Sequence, residues 1–204
     1  MSPTRRDLLR GALAGGAATL GLGLSAETAL AGTVDPLQGA RTDGQVLFRL
    51  LRFEQLEIYC YRHIERTAVL SDVARATVAH FLSQERRHAA LLSAELKRRG
   101  VGPPTPPTSV SEADRRLGAL LVARRLDQAH HEPAAVHLLI GIEKAAETIY
   151  HFAIEKVTGA LPELAGRILG CEAQHWTGLS SLLHNGNPVL AVPGEFVPFA
   201  THSS

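Results

Sequence analysis

The sequence predicts an all-α protein, a four-helix bundle with a long crossover that contains an extra helix. Three observations lead there. Aromatic residues make up only 5% of the 204-residue chain, while alanine and leucine are abundant, a composition that favours helices over sheets. Apolar residues recur at steps of three and four along four segments of similar length, the seam spacing of packed helices. The link between the second and third segments is longer than the other two, as expected where two antiparallel hairpins form one bundle.

Residues 1–31 read as a twin-arginine export signal. Arg5 and Arg6 stand in Thr4-Arg5-Arg6-Asp7-Leu8-Leu9-Arg10, a weakly apolar Gly/Ala-rich stretch follows from Gly11, and Ala29-Leu30-Ala31 supplies a small-x-small cleavage site. The mature chain then starts near Gly32, with the twin-arginine machinery as a partner and an exported location: periplasmic, extracellular or in the cell envelope. Folding before export suits a metalloprotein that must choose its metal in the cytoplasm. Residues 32–42 are a linker, and the bundle spans residues 43–186.

Helix one is expected from about Asp43 to Arg66, with Leu47, Leu50, Glu54, Glu57, Tyr61 and Ile64 on its seam. Helix two runs from the N-cap Ser71 to Arg99, where Gly100, Gly102, Pro103 and Pro104 stop it. Its seam is Ala74, Val78, Phe81, Glu85, His88 and Leu92. The crossover begins with a Pro-rich extended stretch, Gly102 to Thr108, and continues as one helix from Ser111 to Gln128. Helix three runs from Pro133, a good first-turn residue, to Thr158 before Gly159. Its seam is Val136, Ile140, Glu143, Glu147, Tyr150, Ile154 and Val157. Helix four runs from Leu161-Pro162 to His184, with Leu161, Ala165, Ile168, Glu172, His175, Leu179 and Leu182 on its seam. Residues 187–204 form an irregular, proline-containing tail.

Composition excludes several classes. A net charge of +1 gives neither a nucleic-acid footprint nor a polyacidic tail. Beyond the N-terminus no apolar run is long and clean enough to span a bilayer, so the mature chain is expected to carry no transmembrane helix. Two cysteines, Cys60 and Cys171, do not make a disulfide scaffold. They lie off the seam, either as a bonded pair or as two small buried residues.

The chemistry lies in a pattern written twice. Glu54, Tyr61, Glu85 and His88 are followed by Glu143, Tyr150, Glu172 and His175, offset by 89 residues for the Glu/Tyr pair and 87 for the Glu-x-x-His. Each set sits mid-seam, where its helix neighbours are core residues. Fourteen glutamates predict about 0.7 Glu-x-x-His by chance, so one match means little; two, both on mid-seam and both preceded by Glu with Tyr seven on, mean much more. So many buried ionisable groups call for a balancing cation. Glu and His three apart share a helix face. The Glu can bridge two metals and the His can ligate one, while Glu54 and Glu143 each cap a metal. Four carboxylates with two imidazoles suit iron or manganese better than thiolate sites do.

These residues resemble those of the ferritin-like superfamily of di-iron carboxylate proteins, which includes ferritins, bacterioferritins and rubrerythrins. The resemblance covers about Asp43 to His184. More narrowly, Leu51-Arg52-Phe53-Glu54-Gln55-Leu56-Glu57 is similar to the first helix of exported, desiccation-related ferritin-like proteins. It implies a ferritin-like bundle with two iron ions (manganese or a mixed pair being alternatives), Glu85 and Glu172 bridging, Glu54 and Glu143 terminal, and His88 and His175 as nitrogen ligands. Tyr61 and Tyr150 then hydrogen-bond carboxylates across the site. Glu57 and Glu147 are extra seam carboxylates, either further ligands or partners of arginines. The implied activity is ferroxidase or peroxidase chemistry with O2 or peroxide. The alternatives are a metal-stapled envelope protein or a metal-free partner-binding bundle. The chain leaves homo-oligomerisation open.

Overall fold

A computed structural model describes residues 35–191 of the chain. The export signal expected around Arg5 and Arg6, and the tail beyond residue 191, lie outside the described residues. Within them the helices are α1 (Asp43–Glu65), α2 (Asp72–Arg98), α3 (Val110–Ala119), α4 (Glu132–Lys156), α5 (Leu161–Leu183) and the single turn α6 (Pro188–Ala191), with a 3-10 turn at Leu126–Gln128. The four long helices match the four expected seams.

Their ends are set by local chemistry. Thr42 and Ser71 cap α1 and α2, their hydroxyls accepting from the Gln45 and Ala74 amides, which satisfies donors with no partner inside the helix. His131 does the same for α4 by accepting from the Ala134 amide, and Pro133 occupies its first turn. Gly100 and Gly159, at φ +69° and +63°, let the chain leave α2 and α4 in the left-handed conformation.

α1 packs mainly on α2 and α4 on α5; the two hairpins meet through α1–α4 and, more lightly, α2–α5. Two contacts fix the directions. The start of α1 meets the end of α4, where Asp43 accepts from the Thr158 amide and hydroxyl. The start of α2 meets the start of α4, where Glu132 accepts from the Ser71 amide. The chain leaving α2 must therefore travel the length of the bundle before α4 begins, and that is the work of the crossover. Pro104 and Pro107 are buried as it does so, and Gln55 on α1 donates to the Pro104 carbonyl.

The crossover corrects one expectation. Instead of one helix over 111–128, α3 ends at Ala119 and the chain turns through Leu121 at φ +60°. Asp114 explains the fold-back: its buried carboxylate accepts from the Leu126 and Asp127 amides. One side chain supplies the acceptor that a continuing helix would have supplied through its own carbonyls. The tail also differs at its start, where Pro188–Ala191 forms a helical turn rather than irregular chain.

Candidate metal centre

Six ionisable side chains meet at mid-bundle. Glu54 on α1, Glu85 on α2, Glu143 on α4 and Glu172 on α5 are completely buried, while His175 is 1% and His88 7% exposed. His88 Nδ1 lies 3.1 Å from Glu85 Oε2, 3.0 Å from Glu172 Oε1 and 3.7 Å from Glu54 Oε2. His175 Nδ1 lies 2.7 Å from Glu85 Oε1, 3.2 Å from Glu172 Oε2 and 3.6 Å from Glu143 Oε2. Glu85 and Glu172 thus divide their oxygens, one to each histidine. The result is two overlapping groups, Glu54/Glu85/His88/Glu172 and Glu85/Glu143/Glu172/His175, each with ligand atoms within 4.8 Å of one another.

The tyrosines orient the outer carboxylates crosswise. Tyr61 on α1 donates to Glu143 Oε1 on α4, and Tyr150 on α4 donates to Glu54 Oε1 on α1. In both glutamates the second oxygen, Oε2, is buried with no hydrogen-bond partner, as are Glu85 Oε1, both Glu172 oxygens and His175 Nδ1. Buried acceptors are normally satisfied. Here six unsatisfied atoms belong to the two metal-type groups, which is what a donor set awaiting cations requires.

The electrostatics agree. Burial, with Glu172 and Glu85 nearby, pushes Glu54 well above the usual carboxylate range. Burial does the same to Glu143, against the pull of the neighbouring His175 imidazole. Burial would raise Glu172, but the adjacent His175 and His88 imidazoles outweigh it and bring this carboxylate down to about 2. Burial lowers both imidazoles, but Cys171 and the neighbouring carboxylates outweigh it and raise them, His88 to about 12. The cluster's raised groups thus favour protons, which a bound cation would replace.

The model of the ferritin-like domain family matches residues 42–185. The chain belongs to the ferritin-like domain family. No curated protein and no solved structure matches it. The family match spans α1 to α5 and therefore every residue of this cluster, and the described helices fit an all-α ferritin-like bundle.

Around the ferritin-like cluster the remaining expected residues divide. Glu57 is completely buried and neither of its oxygens has a hydrogen-bond partner, yet it lies outside both four-residue groups. Burial and the four neighbouring glutamates hold it well above the usual carboxylate range. Glu147 is half-buried and outside both groups; burial lifts it to about 7 against the pull of Lys144. Among the described residues, neither glutamate pairs with an arginine. Both cysteines are free thiols. Cys60 is buried near Asp114, and burial raises its thiol. Cys171 meets the His175 imidazole, its Sγ 3.5 Å from Nε2. Burial raises this thiol, but hydrogen bonds from His175 and His88 bring it down to about 7.

Three contacts around His175 were not legible as site features. Gln84 Oε1 accepts from His175 Nε2 at 2.7 Å, Phe81 stacks on the His175 ring with centroids 4.3 Å apart, and Gly178 leaves room for that phenyl ring, which a Cβ there would meet at 2.6 Å. The offset of 87 that relates the two Glu-x-x-His copies also relates Gln84 to Cys171. That register was the available signal.

Proposed function

We propose that this chain is an exported ferritin-like protein whose bundle holds a dinuclear metal centre, in the first instance two iron ions, and that it carries out ferroxidase- or peroxidase-type oxidation. The observation that carries the reading is the division of Glu85 and Glu172, each giving one oxygen to each histidine, with the free Glu54 and Glu143 oxygens beside them. Oxygen and imidazole donors of this kind suit iron or manganese. Glu54, Glu85, Glu172 and His88 would hold one ion, and Glu143, Glu85, Glu172 and His175 the other.

Iron held there supplies one-electron chemistry toward O2 or peroxide. The chain's own contributions are positional and protonic. The Tyr61 and Tyr150 hydroxyls fix the outer carboxylates. The surrounding seam of Leu47, Leu50, Ile64, Val78 and Leu92 keeps bulk water away. Each histidine gives up its Nδ1 proton on loading. Glu57, with neither oxygen bonded, holds a proton beside the carboxylate cluster.

Metal analysis of protein purified from the cytoplasm after iron and manganese supplementation tests the reading, with two equivalents per chain expected. Less than one equivalent removes the dinuclear centre, and full loading of Glu85→Ala removes the bridging assignment. Iron(II) oxidation under air, followed by absorbance, then separates turnover from retention: a loaded protein that oxidises nothing is a metal-stapled bundle. Export is tested by replacing Arg5 and Arg6 with lysine together, which should trap the precursor inside the cell.

A further inference from the structure

The inner donor set is nearly symmetric, but its surroundings are not. On one side, the outward nitrogen of His175 donates to Gln84 Oε1 at 2.7 Å, and an amide oxygen can only accept. The Nε2 proton is thereby committed to Gln84, so Nδ1, which faces the carboxylates, is the atom free to hold an ion on loading. Phe81 closes over the same ring at 4.3 Å, seated above Gly178. His175 is 1% exposed.

On the other side, the position equivalent to Gln84 is Cys171 and the position equivalent to Phe81 is Ile168, both 87 residues on. A thiol is a weak partner compared with an amide, and the contact Cys171 makes is with His175, 3.5 Å from its Nε2. His88 is 7% exposed, the most accessible of the six groups.

We infer that the two metal positions are inequivalent: an ion held with His175 is retained, an ion held with His88 exchanges, and Gln84 together with Phe81 positions the retained half. This rests on the dinuclear reading above. Partners that orient a ligand histidine are worth about 10–100-fold in metal affinity. His175 has such a partner in the Gln84 amide, and the position equivalent to Gln84 on the His88 side carries no amide. The ions therefore load and leave in order.

Titration of the metal-stripped full chain with cobalt(II) under argon, followed by its visible bands, reads this directly. Two steps separated by at least about tenfold in Kd are expected. His88→Ala should keep the tighter step and His175→Ala should lose it. Gln84→Ala should weaken the tighter step by about 10–100-fold and merge the two, whereas Gln84→Glu, which keeps an oxygen acceptor, should preserve it. Cys171→Gln installs the missing amide and should draw the weaker step toward the tighter one. A merely structural role for these positions would not sharpen binding in that variant, and it decides the matter even if Gln84→Ala fails to fold. Two indistinguishable steps in the natural chain, or Cys171→Gln leaving the weaker step unmoved, would overturn the inference. A chain that binds no cobalt overturns the metal reading itself.

Discussion

Tyr61 and Tyr150 show how single atoms define the centre. Each hydroxyl occupies one oxygen of a glutamate, so only the other oxygen of Glu143 or Glu54 is left to face the cluster. Tyr61→Phe removes the donor without changing shape and leaves Glu143 Oε1 buried and unbonded. The expected loss is about 1–3 kcal/mol of metal-free stability, read by urea unfolding. Metal affinity should fall by about 10–100-fold for the ion nearest His175, not the one nearest His88. The six clustered side chains and both tyrosines could be picked out in the sequence because the pattern is written twice at fixed offsets. Gln84 was not, because one amide carries no motif and its partner lies 91 residues away. Glu57 was legible as a buried seam carboxylate, but spacing could not say that it lies outside both donor groups.

At the scale of elements, the four long helices could be read because seam, cap and stop agree in each. Ser71 and Pro133 mark starts, Gly100 and Gly159 mark ends, and the seams of α1 and α5 are buried almost as expected, with only Leu182 half-exposed. The crossover could not be read to the same depth. Leu117, Leu120, Leu121 and Leu126 mimic a helical repeat, so periodicity predicted one helix where the chain breaks. The break depends on Asp114 reaching the Leu126 and Asp127 amides, a contact over twelve and thirteen residues that has no local signature. Asp114→Ala leaves those amides without their acceptor. A loss of about 1–3 kcal/mol in chemical denaturation is expected, with the metal stoichiometry unchanged; a change in stoichiometry would mean that the crossover also shapes the centre.

For the whole molecule, the buried cluster makes stability depend on both pH and metal. Glu54, Glu57 and Glu143 are raised in the folded state. A carboxylate raised on folding contributes stability that is full below its unfolded value, near 4.5, and that is lost as pH rises through its folded value. The raised histidines act in the same sense above about 6.5. Glu172, lowered to about 2, loses its contribution only as pH falls through that value, outside the working range. The metal-free protein should therefore melt at a lower temperature at pH 8 than at pH 5. With metal the trend should flatten or reverse, because ions displace those protons more readily as pH rises. Thermal scans with and without chelator check this, and a metal-free protein that gains stability from pH 5 to pH 8 would contradict it.

The crosswise tyrosine bonds have one more consequence. Both span the two hairpins, α1/α2 and α4/α5, as do the shared Glu85 and Glu172. A chain interrupted in the crossover owns three of the six donors, and its tyrosine and outer glutamate have lost their hydroxyl–carboxylate partners. Neither half can assemble even one ion's surroundings alone. An ion at the proposed centre would thus report that both hairpins are present and docked.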